Sequence, residues 1–135
     1  MLKLLLLALG GAFGTLARYG LNGVISARVA TFPLGTMIVN ITGCFAIGLI
    51  AAVSDPSFGR AWLKSEWRDF LTIGFCGGYT TFSSYGLQTL NLAGDREWFS
   101  VTANVVGSNV LGLLAVYLGV VVGRFVQARL HGGAL

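Results

Sequence analysis

Gly74-Phe75-Cys76-Gly77-Gly78-Tyr79-Thr80-Thr81-Phe82-Ser83-Ser84-Tyr85 is the stretch on which the architecture turns. It lies inside an uncharged run, Phe70 to Leu92, long enough to cross a hydrocarbon core of about 30 Å as a helix. Adjacent glycines at mid-run, followed by two β-branched threonines, weaken a helix where lipid offers the backbone no substitute partner. A break at membrane depth is tolerated only where it is buried in protein or lines a polar cavity. Breaking the helix frees carbonyl oxygens, which suit an alkali cation, and N–H groups, which suit an anion. Phe82 and Tyr85, at i and i+3, are read as sharing a face with Thr81, Ser84 and Gln88. An aromatic ring has a positive edge, so rings presented edge-on can face an anion; by spacing alone, ordinary aromatic packing is the simpler reading.

Outward from that run the chain repeats the same theme. Leu4 to Val24 carries a single charge, Arg18, while Phe32 to Val53 and Phe99 to Gly123 carry none. The four windows are 21 to 25 residues long, so the chain reads as one all-α integral membrane domain of four transmembrane helices, broken in the third. Composition agrees: of 135 residues 55% are hydrophobic and 10% charged, and the mean hydropathy is +0.77. A soluble domain carries about 25% charged residues to hydrate its surface. A cytosolic enzyme and a disordered chain are both excluded on this ground. The basic start and apolar run at Met1 to Leu9 could pass for a signal peptide, but cleavage would leave a chain still mostly apolar.

The connections hold the charge. Asp55, Arg60, Lys64, Glu66 and Arg68 lie between the second and third windows, with Trp62 and Trp67 as interfacial anchors. The tail after Arg124 holds Arg129 and the lone histidine, His131. With four spans both termini share a side. There the basic residues are Lys3, Arg60, Lys64, Arg68, Arg124 and Arg129, against Arg28, Arg96 and Arg18 on or near the other. The positive-inside rule then places the termini in the cytoplasm by a modest margin. The net charge of +4 calls for lipid headgroups as counterions rather than nucleic acid. Cys44 and Cys76 sit inside apolar windows and read as packing residues, not as a disulfide.

Glycine pairs at Gly10/Gly14, Gly74/Gly78 and Gly119/Gly123 have the spacing that lets helices approach closely in lipid. For any single pair, packing within one bundle is the expectation. Thr36, Asn40 and Gly43 form a stripe on the second span, and Asn104, Ser108 and Gly112 one on the fourth. Either stripe is a polar pathway or interhelical hydrogen bonding. No carboxylate or histidine lies mid-span, which disfavours a proton-coupled exporter of drugs or metabolites. A non-transporting assembly subunit, its stripes acting only as helix glue, is the remaining alternative.

Three segments, in order, resemble the Fluc/CrcB fluoride channels over essentially the whole chain. They are Gly10-Gly11-Ala12-Phe13-Gly14-Thr15-Leu16-Ala17-Arg18-Tyr19, Gly35-Thr36-Met37-Ile38-Val39-Asn40-Ile41-Thr42-Gly43 and Gly74 to Ser83. The resemblance implies a passive channel for fluoride ion in the bacterial inner membrane, built as an antiparallel, dual-topology homodimer. It implies a structural sodium ion (Na+) held by the backbone carbonyls of Gly77 and Thr80 from both subunits. It also implies an anion pathway along Asn40, Phe82, Tyr85, Ser83, Ser108 and Thr36, with the Tyr85 hydroxyl either donating to the ion or occluding the path, and Arg18 concentrating anions at a vestibule. Tyr85 stands where the family carries a second phenylalanine, Gln88 where many relatives carry an acid, and Asn104 and Gly112 where tyrosine and serine are usual.

Overall fold

The computed structural model describes residues 1–29, 31–56 and 63–131, with side chains to 129. Arg60 and Trp62 lie outside the described residues, as does the side chain of His131. The described residues are helical throughout their regular elements: α1 (Leu2–Ser26), α2 (Leu34–Ser54), α3 (Ser65–Asp69), a π-helical segment (Phe70–Cys76), α4 (Gly77–Tyr79), α5 (Phe82–Gly94) and α6 (Trp98–His131). Helices α1, α2 and α6 are each long and apolar enough to cross a membrane unbroken. The third span crosses in pieces, as the π segment, α4 and α5, with α3 leading into it at the membrane face.

The break falls just after the glycines rather than on them. Gly77 keeps helical dihedrals, φ −64° and ψ −38°. Thr80 (ψ 160°) and Thr81 (φ −151°, ψ 114°) are extended. The β-branched pair therefore leaves the helix while the glycines serve packing. At the other end, α6 runs beyond the expected stop at Gly123 to His131. No proline interrupts that stretch, and Gln127 is buried with its Nε2 donating to the Val53 carbonyl at 3.0 Å. That bond satisfies a carbonyl in the last turn of α2.

Two pairs of helices pack in parallel. Gly10 and Gly14 of α1 meet the third span at Gly74 and near Tyr79. A Cβ on Gly10 would lie 2.6 Å from the Phe70 oxygen and 3.0 Å from Gly74 Cα. On the other side, α2 descends along α6, with Met37 beside Gly107, Cys44 beside Gly112 and Ala52 beside Gly123. All three glycine pairs are thus spent inside the chain, as expected for packing within one bundle. A salt bridge of 2.7 Å from Lys3 to Asp69 joins the starts of α1 and the third span, so both begin at one membrane face. Cys44 and Cys76 are free thiols. At the α5–α6 turn, Arg96 adopts φ 62°, the left-handed position that closes α5: Glu97 N–H reaches the Leu92 carbonyl and Arg96 N–H that of Ala93.

Candidate anion pathway at the helix break

A break in a helix leaves backbone groups to be satisfied, and here side chains take them in a definite order. The Thr81 N–H, which an unbroken helix would direct to the Gly77 carbonyl, donates instead to Asn40 Oδ1 at 2.8 Å. Asn40 Nδ2 returns a hydrogen bond to the Thr81 carbonyl at 3.0 Å. The Ser84 N–H, which would serve the Thr80 carbonyl, goes to Thr81 Oγ1 at 3.2 Å, making Thr81 the N-cap of α5. The break thus strips the carbonyls of Gly77, Gly78, Tyr79 and Thr80 of their helical donors; that of Gly78 accepts from Thr15 Oγ1 at 3.5 Å, while Gly77 and Thr80 belong to the wall of the larger cavity described next. Asn40 reaches the break because Thr36, Asn40 and Gly43 form one stripe of α2. A Cβ on Gly43 would press on the Tyr79 ring at 3.1 Å.

Two cavities meet at this break, with Thr81 in the wall of both. The larger, about 340 Å³, is lined by Asn40, Gly77, Thr80, Phe82, Tyr85 and Ser108 among others. The smaller, about 260 Å³, holds Arg18, Asn22, Thr36, Ser84 and Gln88. The structure corrects the expectation that Phe82 and Tyr85 share a face with Thr81, Ser84 and Gln88. Positions 81, 84 and 88 lie along one stripe of the helix, and 82 and 85 lie about 100° further round, facing the other cavity. Ser83 lies outside both linings; it is exposed, its hydroxyl 3.2 Å from that of Thr81.

The side chains differ in what they have left to offer. Asn40 retains one N–H on Nδ2 after its bond to Thr81. Ser108 gives its hydrogen to Asn104 Oδ1 at 3.4 Å, and Asn104, 2% exposed, donates to Thr89 Oγ1 at 2.8 Å. The α6 stripe at this level thus joins α6 to α5, the helix-glue reading. The Phe82 ring is 81% exposed in the single chain and leans on Tyr85, centroids 5.4 Å apart and planes at 48°. In the smaller cavity the half-buried Arg18 supplies positive charge. The carbonyl oxygens of Asn22 and Gln88 are buried with no hydrogen-bond partner among the described residues.

Sequence reasoning missed Asn22 and Asn109. Asn109 Nδ2 donates to the Val105 carbonyl at 2.7 Å and to Tyr85 Oη at 3.2 Å. The available signal was the same in each case, an amide in an otherwise apolar helix, which needs a partner in a medium that supplies none.

A family model described as "CrcB-like protein, Camphor Resistance (CrcB)" matches residues 5–120, nearly all of the four crossings. The chain belongs to this CrcB family. Among CrcB relatives, the "Fluoride-specific ion channel FluC" of Paramagnetospirillum magneticum is 51% identical over 120 residues, covering 88% of this chain and 93% of the relative. Proteins of the same name from Rhodospirillum rubrum (46%) and Opitutus terrae (47%) each align over 116 residues, 85% of this chain and 89% and 87% of theirs. Each of these CrcB relatives is named as an ion channel rather than an enzyme, and this chain is a multi-pass membrane protein of their family.

Proposed function

We propose that this chain is a passive, fluoride-selective channel of the bacterial inner membrane that lets cytoplasmic fluoride leave down its electrochemical gradient. Fluoride enters cells as neutral hydrofluoric acid and ionises at cytoplasmic pH, so an open path for the anion suffices to remove it. The observation that carries the reading is the pinning of the broken third span by Asn40. It keeps extended backbone, N–H groups and ring edges at membrane depth without a carboxylate or histidine to couple protons. The relatives' shared name, over most of their length, supports the same ion.

In this reading Arg18 draws anions into the smaller cavity. The remaining Asn40 N–H, the Phe82 edge and, by rotation of their hydroxyls, Ser83, Ser108 and Thr36 replace the ion's water. A small halide fits such a dry path better than chloride. The larger cavity has no closed wall beside the exposed Phe82, so the functional unit is an antiparallel homodimer in which a second copy supplies that wall. The carbonyls of Gly77 and Thr80, bare of helical donors, are an all-oxygen set that fits an alkali cation. In the dimer they would hold a structural sodium ion, which would supply fixed positive charge at the break. Asn40 and Thr81 do the chain's own part by drawing the Thr81 and Ser84 N–H groups away from those two oxygens.

Purified protein in liposomes loaded with fluoride, with efflux followed by electrode, is the test. Rapid efflux without a proton gradient is expected. Its absence from folded dimers removes the channel reading and leaves the assembly-subunit alternative. Proton-coupled uptake after a pH jump would favour the exporter.

A further inference from the structure

We propose that Tyr85 presents a hydroxyl hydrogen to the permeating anion and that Asn109 is the positioning residue that aims it. The inference rests on the channel reading above and deepens its selectivity. The hydrogen-bond directions leave that hydrogen uncommitted. Asn109 Nδ2 lies 2.7 Å from the Val105 carbonyl, which can only accept, so the atom facing both Val105 and Tyr85 is the NH2 group and not the amide oxygen. That NH2 has two hydrogens: one goes to Val105 and the other to Tyr85 Oη at 3.2 Å. Tyr85 Oη is therefore the acceptor in this pair, and its own hydrogen finds no acceptor among the described residues. Tyr85 and Asn109 both line the larger cavity, alongside Asn40 and Phe82. The O–H thus stands at the cavity as a donor, on a ring whose centroid is 5.4 Å from that of Phe82. A phenolic O–H bonded to an anion is a charge-assisted hydrogen bond, shorter and about twice as strong as a neutral one. At this position a directed O–H replaces a ring edge.

The test is the fluoride dependence of efflux in liposomes for Tyr85→Phe, Asn109→Leu and the double variant, each checked for wild-type elution on a sizing column. Tyr85→Phe keeps the ring and removes only the donor, so it is expected to fold. The half-saturating fluoride concentration should rise about tenfold for Tyr85→Phe, the low end for one hydrogen bond to a charged group. Asn109→Leu should raise it similarly in the wild-type background and by less than about twofold in the Tyr85→Phe background. A merely structural Asn109 would act equally in both backgrounds, and that result overturns its positioning role. Unchanged half-saturation in Tyr85→Phe overturns the donor itself while leaving fluoride conduction standing. No efflux from the wild type overturns the channel reading, and the inference with it.

Discussion

The side chain of Asn40 binds both polar backbone atoms of Thr81, accepting from its N–H at 2.8 Å and donating to its carbonyl at 3.0 Å. One amide thereby imitates the two backbone partners that the broken helix lost, since it carries a donor and an acceptor on one planar group without a charge. Substituting aspartate keeps the shape and removes the donor, leaving a carboxylate oxygen against a carbonyl oxygen and a negative charge in the anion's path. Asn40→Asp should slow fluoride efflux at least tenfold and lower stability by about 1–3 kcal/mol, the cost of an unmade buried hydrogen bond. Electrode-recorded efflux and thermal unfolding in detergent measure the two effects. Wild-type values in both would show that Asn40 neither holds the break nor meets the ion.

Phe82→Ile replaces a ring edge by a branched aliphatic of no polarity. Because the ring is 81% exposed in the single chain, the substitution should cost little monomer stability. Efflux should nonetheless fall strongly, since the anion loses a positive edge. Loss of folding with efflux retained among the surviving protein would contradict that division.

Glycine substitutions should split by position. A Cβ on Gly78 would lie 2.5 Å from the Gly11 carbonyl oxygen and 3.0 Å from its Cα, backbone atoms that cannot move aside. Gly78→Ala should therefore destabilise by about 1–3 kcal/mol through overpacking. Gly20 has open space around it within helix α1, so Gly20→Ala should stabilise by about 0.5–1 kcal/mol. Equal melting shifts for the two would refute the close contact of α1 with the third span.

Arg96 holds a left-handed conformation, φ 62°, that costs a non-glycine residue roughly 1–2 kcal/mol. Arg96→Gly should raise the melting temperature, and Arg96→Val should lower it. The opposite order would mean that the turn between α5 and α6 does not close in this way.

Asp69 accepts from the Lys3 ammonium at 2.7 Å, and this hydrogen bond, with the charges of Lys3 and Arg68, holds its carboxyl below the usual carboxylate range. A depressed value in the folded state means that the unfolded chain takes up the proton first as pH falls. The pair's contribution is therefore whole above about pH 4, the ordinary range, and is lost as pH drops through the lowered value. Asp69→Asn should remove this acid-limb loss of thermal stability and leave the neutral-pH limb parallel to wild type. A wild-type melting curve flat to the lowest pH would disprove the coupling.

The number of crossings, the presence of a break and the α2 stripe that meets it were legible in one dimension. Charge-free length reports membrane crossing, and Thr36, Asn40 and Gly43 recur at the helical period, so they had to share a face whatever the fold. The helix ends were less legible. The run of α6 past Gly123 depends on Gln127 meeting Val53, a residue 74 positions away. The division of α5 into two faces depends on where the break falls, since a residue's direction is set by its angle from the first turn. Proline and glycine mark weakness, but Thr80 and Thr81 unwind while Gly77 stays helical, because Asn40 was there to receive the Thr81 N–H. Composition and period are properties of neighbours along the chain and settled the membrane architecture. The direction in which each hydroxyl and amide spends its hydrogens is a property of neighbours across it, and only the packed helices decided that.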